Sequence, residues 1–182
     1  MRIAITGTPG VGKHTMAKMI SEYFGIKLFD LTLISKEEGL FEENNGIVEV
    51  DTDKLAKKLV DKISNDFVIV GHLAPYTLEK SQIDKIIILR RNPNELVSVF
   101  HQRDYSKEKI QENIESEILG VISYDVFQKF NEKAIQVEIR DTSIEENFNN
   151  IIKAIEQENF FDKVDWLEEV AANNELQKFF SY

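Results

Sequence analysis

Short apolar runs alternate along the chain with longer segments in which apolar residues recur every three or four positions. The short runs have the length of buried strands, and the longer segments have the periodicity of amphipathic helices. Because strands and helices alternate, the pattern predicts an α/β fold with three layers, a central five-stranded parallel sheet and helices on both of its faces. Strands are predicted at residues 2–6, 26–29, 67–70, 86–89 and 134–139.

The helices between these strands carry recognisable start signals. Asn92 followed by Pro93, and Ser143 with Glu146 three residues later, are typical of helix N-termini. Apolar residues at every fourth position after the break at residues 102–109 predict one long helix. The helices are predicted at residues 13–24, 52–63, 93–101, about 110–130 and 144–155, with a C-terminal helical extension within residues 160–182.

The segment from residue 31 to 50 lacks a sustained period. Ser35 with Glu38 forms a capping-box pattern that predicts a brief helix. The stretch EGLFEENNGIVEVD, residues 38–51, is polar, acidic and interrupted by glycine, and it predicts an irregular insertion over the sheet edge. With 182 residues in total, the whole chain, residues 1–182, is expected to form a single domain.

Residues with chemical potential follow several of the predicted strands. Gly7, Asp30, the Gly71-His72 pair and the Arg90-Arg91 pair all come at predicted strand carboxyl ends. In an open parallel sheet these ends meet at one edge, and ligands bind outside that edge. The sequence therefore predicts one binding site to which all four positions contribute.

The stretch GTPGVGKHT, residues 7–15, follows the phosphate-binding pattern G-x-x-x-x-G-K-[ST] at every position except His14. Glycines allow successive backbone N–H groups to point inward, and the helix that follows adds its own amides and dipole. Lys13 is expected to reach the β- and γ-phosphates as a point charge, which makes ATP the predicted cofactor. The nucleotide-binding residues predicted here are Gly7, Gly10, Val11, Gly12, Lys13, His14 and Thr15.

His14 stands where a hydroxyl normally ligates Mg²⁺. Imidazole is a poor ligand for magnesium, and the hydroxyl of Thr15 is rotated by about 100° around the helix axis. Three hypotheses remain open: water and phosphate oxygens alone hold the ion, His14 contacts a phosphate directly, or the site binds nucleotide and turns over slowly. Mg²⁺ is the expected cofactor, and its protein ligands are unknown at this point.

Composition narrows the class of protein. The net charge is −10 and the pI near 4.9, which argues against a broad nucleic-acid-binding surface. The chain contains no cysteine, so disulfides and thiolate metal sites are excluded. The N-terminal apolar run is too short for a signal peptide or a membrane span. These features predict a cytoplasmic protein without membrane association.

The segments GTPGVGK, ILRRNP and RDYSKEKIQENIESEIL resemble the adenylate-kinase-like P-loop family of archaea and eukaryotes, which includes the coilin-interacting nuclear ATPase. The resemblance covers about residues 1–157. It implies a nucleoside monophosphate kinase fold, with a monophosphate-binding region at about residues 30–53 and a lid at about residues 102–112. It also implies phosphoryl exchange between ATP and a monophosphate, usually AMP, together with ATPase activity.

The resemblance also implies roles for single residues. Arg103 corresponds to the lid arginine that contacts ATP, although Asp104 replaces the glycine that usually follows it. The family places an acid before the histidine of its strand-end motif, whereas VIVGHLAP, residues 68–75, contains none. Family members are further linked to maturation of the small ribosomal subunit through ribosomal protein uS11, so uS11 and the precursor of that subunit are implied as partners.

Three side chains remain with two interpretations each. His72 is a candidate catalytic residue that orients water or a phosphate, or it is a hydrogen-bonded loop histidine. Asp30 is a candidate substrate-binding residue that holds the monophosphate or a metal-bound water, or it is a helix cap. Arg90 is a candidate for substrate binding, or it forms an ordinary salt bridge. Lys13 and Arg103 complete the predicted catalytic set.

The leading interpretation is a nucleoside monophosphate kinase that transfers the γ-phosphoryl group of ATP without a covalent enzyme intermediate. The alternative is an assembly factor whose affinity for a basic ribosomal protein is switched by ATP binding and slow hydrolysis, with kinase activity incidental. The acidic composition and the two departures at the magnesium site favour this alternative. A third interpretation is a nucleotide-binding module without turnover.

Overall fold

A computed structural model of the chain describes residues 1–44, 47–63, 65–102, 105–157 and 161–180. The strands are β1 (Arg2–Thr6), β2 (Lys27–Asp30), β3 (Phe41–Asn44), β4 (Ile47–Val50), β5 (Phe67–Val70), β6 (Lys85–Arg91) and β7 (Ala134–Ile139). The helices are α1 (Lys13–Phe24), α2 (Leu31–Glu37), α3 (Thr52–Lys62), α4 (Ala74–Thr77), α5 (Pro93–His101), α6 (Lys107–Leu119), α7 (Val121–Phe130), α8 (Ile144–Glu156), α9 (Trp166–Ala172) and α10 (Leu176–Phe179).

The central sheet has five parallel strands in the order β2-β5-β1-β6-β7, so the predicted α/β architecture is confirmed. The inner strands are apolar throughout, as in FVIV of β5, because helices cover both of their faces. In the register, Ile5 and Asp30 each pair with Val70, and Thr6 pairs with Ile88. The carboxyl ends of β1, β2, β5 and β6 therefore meet at one edge, as the sequence predicted.

The core consists of two apolar layers, one on each face of the sheet. The first contains Ile3 and Ile5 of β1 together with apolar residues of α1, α5, α6 and α8. The second contains Ala4 of β1 together with apolar residues of α2, α3, α4 and α7. Alternate residues of β1 thus enter opposite layers, so both faces of the strand that leads into the glycine loop are buried. Within the described residues, no helix combines the length and apolarity needed to cross a membrane.

The predicted start of the second helix was wrong. Asp30, not Ser35, caps α2, because its Oδ1 accepts hydrogen bonds from the backbone amides of Thr32 at 2.8 Å and Leu33 at 3.3 Å. Ser35 lies inside the helix, where its hydroxyl donates to the carbonyl oxygen of Leu31 at 2.7 Å. The cap interpretation of Asp30 is therefore confirmed.

The predicted irregular insertion was also wrong, since β3 and β4 pair as an antiparallel hairpin in which Phe41 opposes Val50. The pair Asn45-Gly46, which lies between the two strands in the sequence, is the strongest short signal for such a hairpin. Both of these residues lie outside the described part of the chain.

The long helix predicted for residues 110–130 is two helices, because Gly120 has a left-handed φ of 65° and ends α6. Ile110, Ile114 and Ile118 of α6 belong to the first core layer, whereas Val126 of α7 belongs to the second. The break at Gly120 therefore turns the chain from one face of the sheet to the other.

In its described part, the C-terminal extension is helical as predicted, and it forms the short helices α9 and α10. Trp166, Val170 and Phe179 are buried in the first core layer, next to α6. Phe161 is exposed, and residues 158–160 lie outside the described part of the chain. The extension is thus packed onto the body of the protein, near the helix that follows the predicted lid.

Candidate functional site

The loop between β1 and α1 has the backbone geometry of a phosphate-binding loop. Gly7 and Gly10 have φ angles of 135° and 92°, which side chains rarely permit. A Cβ atom on Gly7 would lie 2.3 Å from the carbonyl oxygen of Leu89, so no side chain fits there. The loop runs directly into α1, whose first-turn amides have no side-chain cap within the described residues. Such amides, together with the helix dipole, favour a bound anion.

Lys13 crosses back over this loop. Its side chain is only 5% exposed, and Nζ donates a hydrogen bond to the carbonyl oxygen of Thr8 at 2.8 Å. The structure thus brings the ammonium group and the loop together, as the sequence predicted. The other predicted nucleotide-binding residues surround it, with Val11 buried beneath the loop and Thr15 exposed on α1.

His14 contacts Asp30, which lies at the carboxyl end of β2. The distance between His14 Nε2 and Asp30 Oδ2 is 3.0 Å. Burial alone would raise the pKa of Asp30, but the hydrogen bond and charge of His14 and the capped amides of Leu33 and Thr32 outweigh it and lower that pKa. Asp30 is therefore an anion beside the first turn of α1 at neutral pH.

His72 follows β5 and lies in the same region. Its pKa is lowered first by partial removal from water and then by the positive charges of Lys13, His14 and Lys109, although the residue as a whole is exposed. The neutral imidazole is accordingly the dominant form at neutral pH. Lys109, in the first turn of α6, belongs to the lid region but was not singled out in the sequence. Lys13 and Lys109 thus place two positive charges close together on a protein with net charge −10.

The strand-end acid of related sites has no equivalent at the end of β5. Val70 is fully buried, and Gly71 packs so tightly that a Cβ atom would lie 2.8 Å from Cβ of Leu31. The described residues contain no group of three or more histidine or acidic side chains arranged to hold a metal ion. A divalent cation here would depend on nucleotide oxygens, water and at most one or two side chains, which is the usual pattern for Mg²⁺.

Arg90 lies beneath the site rather than in it. Its side chain is 5% exposed and donates through Nε to Glu117 Oε1 at 2.8 Å, and through Nη1 to Ser123 and Gln136, each at 3.1 Å. Nη2 donates to the carbonyl oxygen of Glu117 at 2.7 Å. The substrate-binding role of Arg90 stays a prediction, and it would require some of these bonds to be exchanged.

Glu117 of α6 joins several parts of the molecule, and sequence reasoning missed it. The carboxylate is 1% exposed and accepts from Thr8 Oγ1 at 2.5 Å, through Oε2. Its Oε1 accepts from Arg90, from the backbone amide of Arg91 at 3.1 Å, and from Trp166 Nε1 at 3.1 Å. One buried carboxylate thus ties the phosphate loop to β6, α6 and the C-terminal extension. No local sequence pattern distinguishes Glu117 from the other acidic residues of α6, because its partners come from distant parts of the chain.

The predicted lid is described in part. Arg103 and Asp104 lie outside the described residues, so the ATP contact of Arg103 stays a prediction. On either side, Tyr105 stacks on Phe100 with ring centroids 5.4 Å apart, and Ser106 caps α6. The described ends of the lid are therefore anchored to α5 and α6, close to the glycine loop.

Comparison with known proteins agrees with this geometry. Residues 3–120 match the family described as AAA domain. A Pyrococcus abyssi protein named "Putative adenylate kinase" is 37% identical over 159 residues, which make up 85% of this chain and 84% of that protein. A Saccharolobus solfataricus protein of the same name is 32% identical over 155 residues, or 84% and 82% of the two chains. The chain belongs to the adenylate-kinase-like P-loop family found in archaea.

Solved structures place this adenylate-kinase-like protein among P-loop kinase folds. A gluconokinase from Sinorhizobium meliloti superposes with a TM-score of 0.57 at 13% identity, covering 97% of this chain and 96% of that one. A shikimate kinase from Bacteroides thetaiotaomicron gives a TM-score of 0.55 at 18% identity, covering 86% and 99%. At such low identity the likeness concerns the fold, and it confirms the three-layer P-loop architecture.

Proposed function

We propose that this protein is a nucleoside monophosphate kinase that transfers the γ-phosphoryl group of ATP to AMP or a related monophosphate. The observation that carries the proposal is the position of Lys13, whose buried ammonium group lies over a glycine loop at the sheet edge. Lys109 adds a second positive charge nearby, which favours a polyphosphate ligand. The names of the relatives support adenine nucleotides as the substrates.

The triphosphate lies on the loop amides and the first turn of α1 in this proposal, and Lys13 exchanges the carbonyl of Thr8 for phosphate oxygens. The acceptor monophosphate lies toward residues 30–53, where α2, the β3-β4 hairpin and α3 follow Asp30. Arg103 approaches the triphosphate when the lid closes and excludes water. A bound Mg²⁺ supplies further neutralisation of the phosphate charge.

The transfer itself needs positioning and charge rather than a covalent enzyme intermediate. An oxygen of the acceptor phosphate forms a new bond to the γ-phosphorus, and the bond from that phosphorus to the β–γ bridging oxygen breaks. The electron pair stays with the bridging oxygen, so that ADP leaves and the acceptor becomes a diphosphate. Lys13 stabilises the charge that develops on the transferred group, and neutral His72 can donate or accept a hydrogen bond there.

The proposal is tested by incubating the protein with ATP, with and without AMP, while following ADP and free phosphate. We expect ADP to form when AMP is present, without release of free phosphate. Lys13→Ala should abolish ATP binding in calorimetry, whereas Lys18→Ala, an exposed lysine on the same helix, should bind normally. Equal ATP affinity for both variants would contradict the proposal.

A second candidate function is the ATP-driven assembly factor, and one surface feature favours it. A groove of about 340 Å³ beside β7 is lined by four acidic side chains and one basic one, Lys163, so its net charge is negative and complements a basic partner such as ribosomal protein uS11. Phosphate release without AMP, stimulated by the basic protein, would support this function over the kinase. The acidic residues are Glu138, Asp165, Glu168 and Glu169.

A further inference from the structure

We propose that Asp30 is the protein carboxylate that binds the divalent cation of the bound nucleotide, directly or through one of the cation's waters. His14 is a positioning residue that holds the Oδ2 atom of Asp30 in place. The inference rests on the proposed nucleotide-binding function and adds the identity of the metal-serving residue. It also accounts for an imidazole at a position where phosphate-binding loops carry a hydroxyl.

The end of β5 cannot supply this carboxylate. Val70 is fully buried, and any side chain at position 71 would collide with Leu31, whose Cβ lies 2.8 Å from the ideal Cβ position. His14 cannot supply it either, because magnesium prefers oxygen ligands over imidazole. The acid must therefore come from another strand if the protein provides one at all.

Asp30 is placed on the strand next to β5. It pairs in register with Val70, so its side chain leaves the sheet edge beside the position where the missing acid would stand. The side chain is 18% exposed and lies 3.0 Å from the second residue of α1, next to Lys13. A carboxylate is thus present next to the glycine loop, although it comes from β2 and not from the neighbouring strand β5.

The two carboxylate oxygens of Asp30 have different hydrogen-bonding partners. Oδ1 accepts from the amides of Thr32 and Leu33, which fixes the carboxylate plane at the start of α2. Oδ2 accepts one hydrogen bond from His14 and retains a further acceptor position. That position suits a Mg²⁺ ion or one of its waters, since magnesium usually takes one or two carboxylates in addition to phosphate oxygens. A hydrogen-bond donor behind a metal-serving carboxylate is the normal arrangement.

The test measures how strongly the cation and ATP reinforce each other's binding. The protein's Kd for ATP is determined by calorimetry in EDTA and again with Mn²⁺. The Kd in EDTA divided by the Kd with Mn²⁺ is the ratio that is compared between variants, and a high ratio means that the cation strengthens ATP binding. Asp30→Asn keeps the helix cap, because asparagine caps as well as aspartate, and it replaces the charged Oδ2 acceptor with a neutral amide donor. The matched control is Asp165→Asn, which makes the same change at the cap of α9 outside the site.

We expect Asp30→Asn to lower the ratio about tenfold relative to the wild type, the scale on which loss of a metal-supporting group acts. Its ATP affinity in EDTA should be unchanged or stronger, since a negative charge near the phosphates is removed. Asp165→Asn should match the wild type. A ratio for Asp30→Asn equal to that of Asp165→Asn overturns the inference.

His14 is tested by a double-mutant cycle with the same readout. His14→Ala should lower the ratio, His14→Gln should restore part of it through its amide donor, and His14→Ala should have little further effect in an Asp30→Asn background. Additive effects, or weaker ATP binding by His14→Ala in EDTA, would mean that His14 contacts phosphate directly and would overturn its assigned role. Absence of ATP binding by the wild type would instead refute the proposed function itself.

Discussion

At the scale of single residues, His72 reports most directly on the charge of the site. Its pKa is lowered by burial and by the positive charges of Lys13, His14 and Lys109. Bound phosphates would offset those charges and stabilise the imidazolium. We therefore expect ATP to raise the pKa of His72 above its value in the free protein, as measured by NMR titration of the ring protons. A His72 pKa that stays the same or falls with saturating ATP would contradict a phosphate site here.

The same shift has a consequence for stability without nucleotide. A histidine whose folded-state pKa is depressed binds protons more readily in the unfolded chain. His72 therefore contributes its full stability above the unfolded pKa of about 6.5, and that contribution is lost as the pH falls below this value. Denaturant unfolding of the wild type and His72→Asn across this range should show a steeper acid loss for the wild type. Parallel profiles would refute the depressed pKa.

Gly71 gives a second prediction at this scale, since its added Cβ would lie 2.8 Å from Cβ of Leu31. Gly71→Ala overpacks the contact between the end of β5 and the start of α2, and we expect a loss of about 1–3 kcal/mol in the free energy of unfolding. Gly71→Asp should be at least as destabilising, so an acid cannot simply be restored at this position. Unchanged denaturant midpoints for both variants would show that Leu31 can move aside.

The residue scale also shows where the sequence was informative. The glycines and Lys13 are neighbours in the chain, and their backbone requirements are local, so the loop could be predicted from GTPGVGK alone. The contact between His14 and Asp30 depends on β2 lying at a particular place in the sheet, and no spacing rule indicates it. The bond between Thr8 and Glu117 joins positions 109 residues apart, which only the packed fold brings together.

At the scale of elements, the left-handed conformation of a glycine ends a helix that hydrophobic periodicity alone predicted to continue. The i, i+4 stripe from Ile110 to Phe130 is continuous in the sequence, yet Gly120 ends α6 in the left-handed region. Hydrophobic spacing records burial and does not record which of two core layers a residue enters. Conversely, the five strands of the central sheet were predicted to within two residues at each end, because the inner parallel strands are buried and uniformly apolar.

Two glycines at equivalent helix ends give a matched prediction. Gly25 ends α1 with φ 63°, and Gly120 ends α6 with φ 65°. Alanine at either position must adopt a left-handed conformation, which costs about 1–2 kcal/mol. Gly120→Ala also places its Cβ 3.5 Å from Arg90 Nη1, an ordinary contact, whereas Gly25→Ala meets nothing within 4 Å. Unfolding experiments should therefore give equal losses, and a clearly larger loss for Gly120→Ala would reveal strain in the Arg90 network.

At the scale of the whole molecule, Glu117 holds together parts that lie far apart in sequence. Its ion pair with Arg90 is almost fully buried, with side-chain exposures of 1% and 5%. Removing one member of such a pair leaves an uncompensated buried charge, so Glu117→Gln should lose about 3–5 kcal/mol of folding free energy. The control is Glu95→Gln, which breaks the more exposed ion pair with Arg91 and should cost less than about 1 kcal/mol. Similar losses for the two variants would contradict the central role of Glu117.

Trp166 makes this network observable, because it is the only tryptophan of the chain. Its indole N–H donates to Glu117 Oε1, while Oε2 of the same carboxylate accepts from Thr8 in the phosphate loop. In the proposed mechanism, nucleotide binding draws Lys13 away from the carbonyl of Thr8. The hydrogen bond from Thr8 to Glu117 then changes, and with it the electric field that the Glu117 carboxylate exerts on the indole. We expect ATP to alter the emission of Trp166, measured with excitation at the red edge of its absorption.

Two variants decide whether that signal travels through Glu117. Lys13→Ala should give no emission change, because we expect it not to bind ATP. Thr8→Val keeps the size of the side chain but removes the hydroxyl that donates to Glu117, so at ATP concentrations that calorimetry shows to be saturating its emission change should be strongly reduced. The full wild-type amplitude in Thr8→Val would mean that the indole senses the nucleotide by another route. A reduced amplitude would instead make the C-terminal extension a structural part of the phosphate site, through Trp166, which lies 158 residues after Thr8.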